Sequence, residues 1–331
     1  MRVIKIFFII LAVLVVVALF FYCAEKYFSK PNENLILGVS FSPEYTEYLG
    51  LDVKETYKVI LDRYKFKYLR LSARWDKVEP APGKFDFAQV DYMIAEAAKR
   101  NAKVVLAMGQ KTPRWPECNV PAWVEGLNDE EYFAALNNYL SVVTKRYKNN
   151  SAIEIWQVEN EPFLAFGIEC RKMTSSRLQE EITTVKNLDS SRQVLVTDSG
   201  ELSFWNKTAK AGDLFGTTVY RVVWNDYLGY VAYDWVPAIY YRWRALFHGR
   251  DLADTWVAEL QAEPWLPNNV VTAENIDEQF KSLSFDRLQK NLDFAKKTGF
   301  SRSYLWGVEW WYWLELHGDS EIADYMTSLN K

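Results

Sequence analysis

Two apolar runs in the chain end in carboxylates. The first, WQVENEP, sets Glu159, Asn160, Glu161 and Pro162 in sequence, and the second, WVAELQAEPW, carries Glu259 and then Glu263. Two carboxyl groups that face one another across a cleft need no cofactor. One holds a proton for a leaving oxygen while the other, ionised, attacks an electrophilic carbon. Along an ideal strand Glu159 and Glu161 share one direction, and only the residue nearest the end of the run reaches an open mouth, which favours Glu161. Glu259 follows the stretch Thr255 to Ala258 and is expected to project from a rim across the mouth. A cation beside it would keep it ionised, and Arg70, in YLRLSARW, is the candidate; a structural ion pair is its alternative role. Glu263 is the main rival to Glu259. Glu201 and Glu309 also follow apolar runs and are lesser candidates, with surface charge or loop hydrogen bonding as their alternative.

The elements that must position these groups are legible from residue 35 onward, where short β-rich runs alternate with longer helical stretches. Eight such runs occur: Leu35 to Ser40, Tyr68 to Leu71, Lys103 to Met108, Ile153 to Val158, Gln193 to Thr197, Leu214 to Tyr220, Thr255 to Glu259 and Ser303 to Val308. Eight is the number a closed (β/α)8 barrel requires, and such a barrel gathers its active site at the C-terminal ends of the strands. Between the runs, Asn128 can cap a helix from Asp129 to Tyr147 that sets Tyr132, Leu136, Leu140 and Val143 on one stripe. Ser284 can cap another running to Lys297, with Gly299 where a left-handed residue is wanted. No Pro, Gly or Ser-rich linker divides the chain. The expected organisation is an N-terminal segment, 1–28, followed by one catalytic domain, 29–331. The aromatic stretch 226–248 exceeds a plain connection, and is read as ordinary packing, an active-site wall or a surface resting on a membrane.

Residues 6 to 24 contain no charge and follow Arg2 and Lys5, which suits a membrane-spanning helix with a cytoplasmic N-terminus. The bulky Phe20, Phe21 and Tyr22 make a poor cleavage site, so a signal-anchor is favoured over a cleaved signal peptide, with lipid attachment at Cys23 a minor alternative. The catalytic domain is then expected on the extracytoplasmic side, or secreted if the segment is removed. There Cys118 and Cys170, each following a strand on the same face, either pair or remain free thiols. A formal charge of -4 with mixed signs offers no basic face for nucleic acid. With His248 and His317 the only histidines and no zinc-ligand cysteine spacing, no metal or other cofactor is expected. The 14 Trp and 20 Tyr supply flat faces suited to sugar rings, although many must simply fill the core.

Taken together, NEP at the end of the fourth run, a Glu on the seventh and an Arg on the second resemble the clan A glycoside hydrolases, TIM-barrel enzymes that retain configuration. YLRLSARWDKVEPAPGKFDF, with Trp75, Glu79, Pro80 and Gly83, is similar to that clan's strand-two segment, so the likeness covers nearly all of the chain after residue 28. The resemblance implies that Glu161 is acid/base, Glu259 the nucleophile, Asn160 a partner of the sugar 2-hydroxyl, and Arg70 a support for Glu259. It further implies that Tyr220 contacts the nucleophile and that Trp306, in SRSYLWGVEWW, lies under the sugar at the cleavage point. The cleft histidines of many family 5 cellulases are missing, and TPRWPECNVPAW and ELQAEPW look more like families 39 and 42. The expected partner is a β-linked carbohydrate. A catalytically inactive glycan-binding barrel and a transglycosylase are the alternatives.

Overall fold

β-Branched and apolar residues dominate eight short segments, and these pair side by side, all parallel, into a closed barrel. They are β1 (Ile36–Ser40), β2 (Tyr68–Ser72), β3 (Lys103–Met108), β4 (Ile153–Val158), β5 (Gln193–Asp198), β6 (Leu214–Val219), β9 (Thr255–Gln261) and β10 (Arg302–Trp306). An antiparallel hairpin of β7 (Val222–Asn225) and β8 (Gly229–Ala232) stands between β6 and β9. Around the barrel the order is β1-β2-β3-β4-β5-β6-β9-β10, with β10 returning to β1, which is the (β/α)8 architecture expected from the eight runs. The computed structural model describes residues 5–6, 30–268 and 270–330. The segment 6–24 lies, apart from Ile6, outside them, and among the described residues no helix is long and apolar enough to cross a membrane.

The helices follow their sequence signals. Asn128 and Glu131 form a reciprocal capping box at the start of the helix Asp129–Tyr147, and Tyr132, Leu136, Leu140 and Val143 are all buried against the barrel. Ser284 caps Phe285–Thr298, and Gly299 ends it with φ 77°. Inside the barrel, Val105, Ile155, Leu195, Leu214, Trp256 and Tyr304, one from each of six strands, form an apolar plug. Strand residues facing outward join the larger core beneath the helices.

Five strands end at a residue other than the sequence expectation, β2 and β5 merely running one residue further, to Ser72 and Asp198. β6 stops at Val219, leaving Tyr220 just beyond it, and β10 stops at Trp306 because Gly307, at φ 119°, turns the chain into the helix Val308–Leu316. β9 instead continues past Glu259 to Gln261, where it still pairs with Trp306 of β10. β9 also carries one residue more than either neighbour: Thr217 pairs with Val257 but Thr218 with Glu259, and the register against β10 shifts at the same place. This bulge at Ala258 re-aims the residue that follows it, which is Glu259.

The aromatic stretch 226–248 becomes the tip and second strand of the hairpin and the helix Ala238–Phe247, whose Ala238, Ile239, Tyr241 and Ala245 are buried. The hairpin stands at the C-terminal end of the barrel with Tyr227 and Leu228 exposed at its tip. The chain enters at the other end, where Asn32 donates to the carbonyl of Phe300.

Candidate active site

Arg70 is the hub of the barrel mouth. It is buried on β2 and each nitrogen of its guanidinium has a side-chain partner: Nε donates to Gln157 Oε1 at 2.8 Å, Nη1 to Glu259 Oε1 at 2.8 Å and Nη2 to Asn160 Oδ1 at 2.7 Å. Tyr220 donates its hydroxyl to the other oxygen of Glu259 at 2.9 Å. Both carboxylate oxygens of Glu259 are therefore held by donors from different strand ends, which fixes the group in place. Tyr220 is itself held from behind, since its backbone N–H donates to Glu201 Oε1, which also accepts from Tyr241. Glu201 thus serves as a part-buried support, and desolvation pushes its carboxyl up to about 7.

Asn160 has its oxygen occupied by Arg70 and by the Thr197 hydroxyl at 3.1 Å. That fixes the amide orientation and leaves Nδ2 buried and without a partner, a donor aimed at nothing in the protein. Glu161 follows at once. Its backbone N–H donates to Thr197 Oγ1 and its carbonyl accepts from Lys111 Nζ, while its side-chain Oε1 is buried with no hydrogen-bond partner. Burial, reinforced by the charges of Glu117 and Glu259, holds its carboxyl well above the usual range. A carboxyl raised by burial and a carboxylate paired with Arg70 therefore share one mouth.

Glu159 does not point the way of Glu161. β4 ends at Val158, and left-handed backbone at both residues, φ 62° and 46°, breaks the strand alternation. Glu159 turns instead into the end of β3, where its oxygens accept the backbone N–H groups of Gln110 and Lys111 at 2.7 and 2.8 Å. Only glycine fits beside it: a Cβ at Gly109 would lie 2.4 Å from Glu159 Oε1. Behind it stands the equally buried Glu181, whose carboxyl is pushed far upward by burial and by the neighbouring Glu159 charge.

The rival carboxylates are engaged elsewhere. Glu263 is gripped by both Nη atoms of Arg114, one of them at 3.1 Å. Glu309 accepts the Ser42 N–H, lies 3.7 Å from Arg114, and is raised by burial to about 7. Trp306 closes β10 and is only 8% exposed, because the Arg114 guanidinium lies 4.3 Å from its ring centre.

Sequence reasoning missed Glu117 and Lys111. Glu117 lies in the loop after β3, 3.3 Å from Lys111 Nζ, and burial, with the Glu259 charge adding to it, lifts its carboxyl to about 7. A disulfide joins the next residue, Cys118, to Cys170 in the loop after β4. The stretch TPRWPECNVPAW held this signal, a carboxylate fixed between a proline and a cysteine. A row of rings crosses above: Trp115 on Phe166, Phe166 on Trp265 and Trp265 on Tyr220, with centroids 6.2, 6.2 and 5.2 Å apart.

Residues 56–184 match the family model of glycosyl hydrolase family 10, a family the sequence features did not single out. Over 197 residues the chain is 25% identical to beta-galactosidase BgaA of Clostridium cellulovorans, a stretch covering 53% of this chain and 29% of that protein. Over 192 residues it is 26% identical to mannan endo-1,4-beta-mannosidase 3 of Solanum lycopersicum, covering 48% of this chain and 47% of that one. The chain thus spans about half the length, or less, of these curated relatives. Among solved structures, xylanase 10B of Thermotoga maritima superposes with a TM-score of 0.55 at 15% identity over 83% of each chain, a likeness of fold. These matches support the resemblance to clan A glycoside hydrolases; none of them singles out family 39 or 42.

Proposed function

We propose that the chain is a retaining glycoside hydrolase of clan A acting on a β-linked sugar, with Glu161 as acid/base and Glu259 as nucleophile. The observation that carries this reading is the pairing itself: Glu259 held by Arg70 and Tyr220, in the same mouth as a buried Glu161 whose carboxyl burial raises well above the usual range. In the first step Glu259 attacks the anomeric carbon, the glycosidic C–O bond breaks, and the Glu161 proton goes to the departing oxygen. In the second, Glu161 takes a proton from water, the water oxygen bonds to the anomeric carbon, and Glu259 leaves as carboxylate. Asn160 Nδ2, already oriented and unpartnered, meets the 2-hydroxyl. Trp306 supplies the apolar floor for the ring.

The family 10 match and the galactosidase and mannosidase relatives support hydrolysis of O-glycosyl bonds, and their differing names leave the sugar open. We place the catalytic domain outside the cytoplasm, anchored by residues 6–24. The Cys118–Cys170 disulfide supports an oxidising compartment, and the charge-free N-terminal run supports the anchor.

The test is hydrolysis of a panel of aryl β-glycosides by the purified full chain beside Glu259→Ala. Turnover of one sugar, lost in the variant, is the expected result. A folded chain that binds glycans but turns over no member of the panel would replace this reading with that of an inactive binding barrel.

A further inference from the structure

We infer that Arg114 is a latch that occupies the sugar-stacking face of Trp306 and must be displaced for the substrate to enter. The inference rests on the hydrolase reading only for the identity of the guest, a pyranose ring. Arg114 lies between two aromatic rings, its guanidinium carbon 3.8 Å from the ring centre of Tyr45 and 4.3 Å from that of Trp306. A planar, donor-rich group stacked on an aromatic face takes the position that a sugar would take. The space left beneath it, bounded by Ser40, Arg70, Ser72, Arg114, Trp306 and Glu309, is about 10 Å³. That is roughly the room of one water, so no sugar ring reaches Trp306 while Arg114 stays.

Three features make this a latch and not a fixed wall. Arg114 is carried by a loop, in left-handed backbone at φ 87° that a residue with a Cβ rarely adopts. Its anchors lie on the far side of the mouth: Glu263 after β9 and Glu309 after β10. Gly307 brings Glu263 close, since a Cβ there would stand 2.2 Å from the Glu263 Cβ. The site beneath is already polar, with Ser40 Oγ and Glu309 Oε2 buried and lacking hydrogen-bond partners. When Arg114 leaves, the Glu263 carboxylate and Glu309 Oε2 stand unpaired by it beside Trp306, polar groups of the kind that hydroxyls around a stacked ring require. The loop is tied through Cys118–Cys170 to the loop that follows Glu161, and Lys111 from the same loop binds the Glu161 carbonyl. Release of the latch and placement of the acid therefore involve the same pair of loops.

The experiment measures two quantities on wild type, Arg114→Ala, Arg114→Lys and the double variant Arg114→Ala/Trp306→Ala: calorimetric binding of glucose, galactose, mannose and xylose, and kcat/KM on the aryl glycosides. Arg114→Ala is expected to bind the accepted sugar about tenfold tighter and to raise kcat/KM through a lower KM, with the gain lost in the double variant. Arg114→Lys keeps the charge without the planar stack and should show a smaller gain; it carries the test if Arg114→Ala fails to fold. An unchanged or raised KM in a folded Arg114 variant, with wild type active, would overturn the latch and leave the hydrolase reading intact. Tighter sugar binding by Arg114→Ala with no hydrolysis by any form would keep the latch and sink the hydrolase. No binding and no hydrolysis by any form would end both.

Discussion

Two arginines, Arg70 buried and Arg114 part-buried, each paired with a glutamate, stand at the barrel mouth, and they differ in everything except that pairing. Arg70 rises from a strand, and its three nitrogens are matched by Gln157, Glu259 and Asn160, themselves on or just beyond strand ends. Arg114 hangs from a loop in left-handed backbone, faces two carboxylates where one would balance it, and keeps a buried Nε without a partner. The first arrangement has one solution and holds a reactive group still. The second has two carboxylates against one positive charge and still leaves a donor unmatched, which suits a contact that opens. Strands supply the positions that chemistry needs fixed, and the long loop after β3 supplies what must give way.

The sharpest way to break this contrast is to remove each arginine in turn. Arg70→Ala leaves Glu259 buried beside no cation, and should cost about 3–5 kcal/mol of stability in denaturant unfolding and lower kcat by roughly 10²–10³-fold. Arg114→Ala should cost clearly less stability, because Glu309, already near 7, can take up a proton in its place. Equal costs would show that the two arginines are the same kind of structural pair.

Next in size is the acid. Glu161→Ala should reduce turnover about 10²–10⁴-fold for glycosides with poor leaving groups, and far less for activated aryl glycosides that leave without a proton. Losses of the same size for both would remove Glu161 from that role. Smaller still, Glu117→Gln takes a negative charge from beside Glu161, so the alkaline limb of the kcat/KM profile should move to lower pH; a limb that stays put would exclude Glu117 from setting it.

The contrast between strand and loop does not enter the last expected effect, which is on stability against pH. Glu159, Glu201 and Glu309 are lifted from an ordinary value of 4.5 to about 7 by burial. Between those values the folded chain holds protons that the unfolded chain has lost, so each group's stabilisation is complete below about 4.5 and is lost as pH rises through about 7. The Tm should decline from pH 5 to pH 8, and Glu201→Gln should flatten the decline. A Tm that rises over that range would contradict the burial of these carboxyls.

Much of this was legible in the sequence because it is local. The alternation of β-rich runs with capped amphipathic stretches fixes the barrel, and counting along it puts Glu259 three strands from Glu161. Arg70 and Tyr220 hydrogen-bond Glu259, and Asn160 hydrogen-bonds Arg70. Other features depend on contacts that no local pattern carries. The left-handed turns that separate Glu159 from Glu161 are set by the backbone donors at the end of β3, and the bulge at Ala258 by registers against two neighbours. Lys111, Arg114 and Glu117 sit in a loop whose path is fixed by a disulfide and by partners as distant in the chain as Glu263 and Glu309. Their chemistry was present in the sequence, but their positions were not.

If Glu259 is the nucleophile, it becomes covalently attached to the sugar, and mass spectrometry of the full chain treated with a 2-deoxy-2-fluoro aryl glycoside of the accepted sugar would detect the adduct. One added glycosyl mass is expected, recovered on the peptide that contains Glu259 and absent from Glu259→Ala. Attachment to Glu263, or steady turnover to the inverted anomer with no adduct, would contradict it.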